Sequence, residues 1–538
     1  MMKLLLLGLA AIAAASKPLP TAVIDSGAIV GTTTTLPSST AVVNKYLGVP
    51  FGKRPVRFSP PEPAERWSTT YNATKWGPAC FQEVSQAVQL LFNLLDMPPQ
   101  LGGEDEDCLN LNVFTPANAS AGSKAVLFWL YGGSYRNGGA AVPQYDGSSF
   151  AANQDVVVVT INYRTNAFGF PADKNIPLKE RNLGYEKPDS SYQRNRADQK
   201  FDNSLLDQRL ALDWVNRNIA ALGGDPSKVT IMGESAGATS VDALVVTPPE
   251  PVPFRAAIME SGQTSIKTPV DTTRKQYNQS WQKLLDRTNC TSGDTIKCLR
   301  EVPARELKRI ATNETLVFGP IPDDYTMAKH PRQRRLNSTH DESSIARVPV
   351  LIGSNGDEAI TTIIGQNDTR KFLQPYFGNL TDALLAKYPL GSPGAHTEHE
   401  RLSLIVTEFQ IQCVTSVYAN ESAIAGIPTW RYLFNASFPN NEKGYGAYHT
   451  SEIPFVFGTY PQQNKTHFEE EVSKSMQKAW ADFAKDPYKG PGWAPEPAIG
   501  IFGDGVKAGM SVEGKKPLKS VNSKKIDFRC PLYSPVYT

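Results

Sequence analysis

The sequence predicts an α/β fold, with a large, mostly parallel central sheet and helices on both of its faces. Three observations predict it. Short runs rich in β-branched and apolar residues recur at 126–130, 156–161, 229–232, 256–259, 348–352 and 430–434. Segments of helical character alternate with them, the pattern of strands joined by crossover helices. The first runs are nearly continuous in Val, Ile and Leu, as strands are when both faces are covered.

At the start of the chain, Lys3 precedes an apolar stretch over 4–9 and small residues over 10–16. Residues 1–16 therefore read as a secretory signal peptide. The apolar stretch is too short to span a bilayer, and no later run reaches the roughly eighteen apolar residues that a transmembrane helix needs. Residues 17–538 show no internal repeat and no convincing linker, so one domain with insertions is expected. Asn-x-Ser/Thr sequons at Asn72, Asn118, Asn278, Asn289, Asn313, Asn337, Asn367, Asn379, Asn420, Asn435 and Asn464 fit export and glycan attachment.

Six cysteines in an exported chain point to disulfides. Zinc is disfavoured, because no Cys-x-x-Cys spacing occurs. Proximity favours Cys80 with Cys108 and Cys290 with Cys298, leaving Cys413 and Cys530 paired or free. The formal charge of +2, from 55 basic and 53 acidic residues, gives no electrostatic case for a nucleic-acid partner. The basic cluster over 329–335 reads as a solvated loop. Residues 290–340 read as helices and loops laid over the sheet. Between the second and third strand runs, Leu206, Leu210, Trp214 and Val215 have near-helical spacing, and Gly223-Gly224-Asp225-Pro226 supplies a stop.

Directly after the run 229–232 stands Gly233-Glu234-Ser235-Ala236-Gly237, and a helix-compatible stretch follows. A sharp strand-to-helix turn lifts its middle residue out of the sheet, and the flanking glycines remove side chains that would collide. Ser235 is the candidate nucleophile, near the positive end of the following helix. A hydroxyl needs a base, and the chain has six histidines. His330 and His340 lie in the basic stretch, His467 follows a sequon, and His396 and His399 sit in a polar stretch bounded by Pro and Gly. His449 differs, because its loop leads into the apolar Ile453-Pro454-Phe455-Val456-Phe457. The imidazole in turn needs a carboxylate, which in this architecture lies between serine and histidine in the chain. Asp357 and Glu358, just past the run 348–352, both qualify on position. An oxyanion would be met by backbone N–H groups of Ala236 and of Gly133 and Ser134, which follow the run 126–130.

These residues, with Tyr46-Leu47-Gly48-Val49-Pro50, Glu106-Asp107-Cys108-Leu109-Asn110, Asn162-Tyr163-Arg164 and Glu260-Ser261-Gly262, resemble the type-B carboxylesterase and lipase family over nearly the whole mature chain. The resemblance implies an α/β-hydrolase fold and a secreted serine hydrolase that cleaves small-molecule or lipid esters with no cofactor and no metal. It implies a Ser235, Glu358 and His449 triad, which favours Glu358 over Asp357, and the pairs Cys80 with Cys108 and Cys290 with Cys298. Ser134 replaces the usual third glycine of the oxyanion loop, and Ala359 stands where glycine usually follows the acid. Residues 81–107 correspond to the lid of related lipases. Their apolar helix-compatible stretch 87–97 would be either a core helix or a lid meeting a lipid interface. Cholinesterases carry a cation-binding tryptophan there and this chain has none, which weighs against choline esters. The family also contains non-catalytic adhesion and carrier proteins, the alternative reading.

Overall fold

A computed structural model describes residues 19–177, 181, 206–264, 273–339, 344–440 and 444–537. The expected leader at 1–16 and His340 lie outside them. The β-rich runs form the middle of an 11-stranded sheet. Its strands lie in the order Leu518–Asn522, Ala498–Val506, Thr429–Ala436, Val350–Asn355, Ala256–Glu260, Gly224–Glu234, Lys124–Leu130, Val157–Ile161, Asn110–Pro116, Ser39–Pro50 and Thr32–Leu36. Pairing is parallel from Ala498–Val506 through to Val157–Ile161. It turns antiparallel on both flanks.

Alternation along the strands builds two cores. In Lys124–Leu130, Leu127 and Trp129 join one hydrophobic cluster, whereas Val126, Phe128 and Leu130 join another. Successive side chains point to opposite faces, so a strand apolar at every position needs a cover on each side. Helix His467–Lys485 supplies Trp480 and Phe483 to the first core, and helix Leu206–Asn218 supplies Leu212, Trp214 and Val215 to the second. Gly223, at φ +91°, closes the 3₁₀ turn Ile219–Leu222 that extends this second helix. Its neighbour Gly224 already begins the next strand, so the expected stop is a single residue.

The sheet register gathers chemistry at one edge. Glu260 pairs with Glu234 on one side and Gly353 on the other, so Ser235, Ser261 and the segment leading to Glu358 all leave the carboxyl ends of neighbouring strands. Open α/β sheets place their ligand crevice at that edge.

The basic cluster departs from expectation. Pro331–Leu336 is a short helix, and Arg335 is fully buried, 2.7 Å from the equally buried Asp242 and stacked 3.6 Å from the ring centroid of Tyr418. Arg332 pairs with Glu421 at 2.6 Å. Local charge suggests solvation, but partners 93 and 89 residues away provide the acids. Charge density in sequence does not reveal such pairs.

Three disulfides form: Cys80–Cys108, Cys290–Cys298 and Cys413–Cys530. The last joins positions 117 residues apart and ties the C-terminal segment to helix Cys413–Ile424. Replacing Cys413 and Cys530 together with serine is expected to lower stability by about 2–5 kcal/mol, because a long loop is released in the unfolded chain. A lower denaturant midpoint for the oxidised double variant checks this.

Candidate active site

Ser235 occupies the turn between strand Gly224–Glu234 and helix Ala236–Val246, with φ +54° and ψ −120°. A non-glycine residue holds such a conformation only when its surroundings fix it. They do here: the Ser235 N–H donates to the Glu260 carbonyl at 2.8 Å, and the Ser235 carbonyl accepts from Thr239 N–H at 2.9 Å. The flanking glycines are required by space. A Cβ on Gly237 would lie 2.0 Å from the Leu130 carbonyl oxygen, and one on Gly233 would lie 2.6 Å from the Gly237 carbonyl carbon.

Glu358 is 2% exposed and its Oε2 lies 2.6 Å from Nδ1 of His449. Its other oxygen accepts from the Ser261 hydroxyl at 2.6 Å and from the Asn355 N–H at 2.7 Å. These two donors fix the carboxylate plane. Asp357, the competing acid, turns to the histidine loop instead: its N–H donates to the Ala447 carbonyl and its Oδ2 accepts from the Ala447 N–H, both at 2.9 Å. Gly446 is needed beside it, since a Cβ there would meet Asp357 Oδ2 at 2.3 Å. The two acids thus divide the work, one facing the imidazole and one holding its loop.

Ser134, Ser235, Ala236, Glu358 and His449 line one cavity of about 370 Å³. Gly133 is adjacent in the chain but is not among its lining residues. Both Gly133 and Ser134, the expected oxyanion-loop pair, have left-handed backbones, at φ +106° and φ +55°. A Cβ on Gly133 would fall 2.3 Å from the Asn137 carbonyl oxygen, whereas Ser134 carries its side chain at a modest steric cost. Ala359 is not left-handed, and its N–H donates to Thr407 Oγ1 at 3.0 Å, so the change from glycine brings no strain.

Sequence reasoning gave no role to a set of buried carboxyls beneath the site. Glu234 Oε1 approaches Nε2 of His449 at 3.1 Å, but that oxygen has no hydrogen-bond partner, so Glu234 acts on the ring through charge. Burial pushes the Glu234 pKa up to about 7, with His449 pulling it back and Glu358 adding to the rise. Burial likewise lifts Glu260 to about 8, against the Trp480 N–H that donates to it at 2.8 Å. Glu452, also bonded to Asn355, is pushed well above the ordinary carboxyl range by burial and then by Glu234. For His449, burial opposes the charged form, yet Glu234 and Glu358 outweigh it and raise the pKa to about 10. Glu234 sits inside the serine motif and Ser261 inside Glu260-Ser261-Gly262. Their positions were visible in the sequence, but the contacts that give them a role were not.

Among the described residues, His330, His396, His399 and His467 do not line this cavity. His396 is exposed, and His467, the first residue of helix His467–Lys485, has a side chain 83% exposed. Among the described residues no cluster of His, Cys, Asp and Glu is arranged to hold a metal ion, and no helix is long and apolar enough to cross a membrane.

A strained serine where a strand meets a helix, over a cavity shared with a carboxylate-bound imidazole, is an architecture suited to acyl transfer. The chain matches the carboxylesterase family over residues 18–185 and 198–495, and it belongs to that family. It is a carboxylic-ester hydrolase of the α/β-hydrolase fold. It is 33% identical to the para-nitrobenzyl esterase of Bacillus subtilis over 468 residues, 82% of this chain and 86% of that protein. Secreted lipase 5 of Gibberella zeae is 30% identical over 83% of this chain and 82% of its own length. The mouse cholinesterase is 30% identical over 84% of this chain and 76% of its own. A solved structure of a PNB esterase superposes with a TM-score of 0.71 at 27% identity, covering 95% of this chain and 99% of that one.

Proposed function

We propose that this chain is a secreted glycoprotein that hydrolyses carboxylic esters through an acyl-enzyme on Ser235. The observation that carries the reading is the shared cavity of Ser235 and His449, with Glu358 at 2.6 Å from the imidazole Nδ1. The Ser235 oxygen attacks the ester carbonyl carbon and its proton passes to Nε2 of His449. The carbonyl electron pair moves onto oxygen, and the N–H groups of Gly133, Ser134 and Ala236 donate hydrogen bonds to the resulting oxyanion. Collapse expels the alcohol, which takes the proton back from His449, and water repeats the sequence to release the acid. Glu358 keeps the second imidazole proton on Nδ1 and stabilises the imidazolium.

A fluorophosphonate tests this reading. It is expected to label Ser235 one to one and to abolish ester turnover in the same proportion. A chain of the non-catalytic kind would leave Ser235 unlabelled.

Export is supported by the leader-like residues 1–16, the disulfides and the placement of the sequons. All the sequon asparagines are exposed except Asn435, which is half-buried in strand Thr429–Ala436. Glycans therefore belong on the exposed set. Residues 81–107 act as a lid in this reading. Helix Gln86–Leu94 buries none of its residues, which argues against a core helix, and Leu90 and Leu94 are 62% and 42% exposed. An apolar surface of this kind suits transient contact with a lipid interface. Rate enhancement on emulsified over dissolved ester, lost in Leu90→Ser with Leu94→Ser, supports the lid; equal enhancement in the double variant removes it.

The buried charge beside His449 sets the pH response. The base must be neutral to take the serine proton, and Glu234 and Glu358 hold it protonated, so kcat/KM is expected to rise with pH through the elevated His449 pKa. Glu234→Gln removes one of the two charges and is expected to move this limb about 1–3 units toward lower pH. An unmoved limb in the kcat/KM profile contradicts the charge assignment.

A further inference from the structure

One wall of the cavity is a single long helical run: Glu398–Thr407, the π-helix Glu408–Gln412, and Cys413–Ile424. A π-helix within an α-helical run is uncommon and is frequently found at functional sites. This run presents Val406, Gln410, Ile411, Val414 and Thr415 to the cavity.

Most polar groups around the cavity are already engaged. The Thr239 hydroxyl donates to the Ser235 carbonyl at 3.2 Å and the Thr362 hydroxyl to the Ala359 carbonyl at 2.8 Å. Tyr135 shares a hydrogen bond with Ser240, and Ser261 is held by Glu358. Thr415 is different. It is 2% exposed and lines the cavity, and its hydroxyl has no protein partner among the described residues. That hydroxyl opens onto the cavity, so a substrate that offers it an oxygen replaces the contact it otherwise makes with water, whereas an alkyl substituent leaves it unpaired. Gln410, on the exposed rim of the same wall, also has an uncommitted amide.

The wall is braced against adjustment. Thr407 accepts from the Ala359 N–H, Glu408 holds Arg529 and the Tyr388 hydroxyl, and Gln412 donates to the Ile526 carbonyl at 3.1 Å. The disulfide Cys413–Cys530 follows at once. A rigid wall cannot repack to hide an unmatched hydroxyl, and selectivity rests on such rigidity.

We propose that Thr415, assisted by Gln410, recognises an oxygen function on the substituent of the ester, so that the preferred substrates are oxygen-bearing esters rather than plain alkyl ones. The proposal rests on the ester-hydrolase reading above and deepens it. Val406, Ile411 and Val414 pack the alkyl part of that substituent, and the Thr415 hydroxyl donates to its oxygen.

Isosteric pairs test it. On the alcohol side, butyl acetate is compared with 2-methoxyethyl acetate; on the acyl side, p-nitrophenyl pentanoate is compared with p-nitrophenyl 3-methoxypropanoate. The readout is the ether-over-alkyl ratio of kcat/KM, which cancels effects on chemistry common to both esters. Thr415→Val is expected to lower that ratio about five- to tenfold in one of the two series, identifying the side that faces the wall, whereas Thr415→Ser retains it. Should Thr415→Val fail to fold, Gln410→Leu on the exposed rim is expected to lower the ratio in the same series. Ratios unchanged in both series, with Ser235 labelled by fluorophosphonate and the esters hydrolysed, overturn the proposal alone. No hydrolysis of any of the four esters and no label on Ser235 overturn the parent reading, and this inference with it.

Discussion

Replacing Ser235 with alanine is expected to lower kcat about a million-fold. The size of the effect follows from how completely the local fold is devoted to one hydroxyl. Gly233 and Gly237 leave no room for side chains, and the serine backbone is held at φ +54° by the Glu260 carbonyl. Alanine fits the same backbone, so the variant is expected to fold and to keep its affinity for substrate. What it loses is the hydroxyl on which the proposed covalent step depends. Steady-state turnover of the purified variant, with a parallel melting curve, separates this outcome from misfolding. Near-native turnover in a folded Ser235→Ala protein contradicts the mechanism.

The second large effect is expected from Glu358→Gln, which should cost about ten-thousandfold in kcat. The carboxylate makes three contacts that each need an acceptor: Nδ1–H of His449 at 2.6 Å, the Ser261 hydroxyl at 2.6 Å and the Asn355 N–H at 2.7 Å. An amide offers one oxygen and one NH₂. If the oxygen serves Ser261 and Asn355, the NH₂ faces Nδ1 and forces the imidazole proton onto Nε2, where it cannot accept from Ser235. If the amide turns over, its NH₂ meets two donors in a buried site. Either arrangement removes the competent tautomer at nearly unchanged volume. Asp357→Asn is expected to be far milder, because its carboxylate contacts the Ala447 N–H rather than the ring. The kcat values of the two variants side by side check the division of roles.

The parts legible in sequence were those written in local pattern. Parallel strands announce themselves as unbroken β-branched runs because both faces are buried, and the serine turn announces itself because glycine alone fits its flanks. The antiparallel flanks did not stand out. Thr32–Leu36 is mostly threonine on a half-exposed edge. Asn110–Pro116 interleaves its apolar residues with buried Asn112, whose side chain accepts from the Gly48 N–H and donates to Thr160. A polar residue satisfied by distant partners looks, in sequence, like a residue facing water. The same limit hid the burial of Arg335 against Asp242 and the pairing of Cys413 with Cys530. It also hid the carboxyls Glu234, Glu260 and Glu452, whose pKa values are raised first by burial and then by neighbouring carboxyls. Chain order together with family resemblance was enough to propose Ser235, Glu358 and His449 as a triad, whereas the electrostatic setting of His449 required coordinates.

The most direct test of the account is to catch the covalent intermediate. Wild-type protein mixed with a p-nitrophenyl ester and quenched in acid within the first turnover is expected to show a burst of p-nitrophenol. After digestion, the peptide carrying Ser235 should be heavier by the mass of the acyl group. Full hydrolytic turnover with that peptide unmodified, or with the acyl group on another residue, contradicts it.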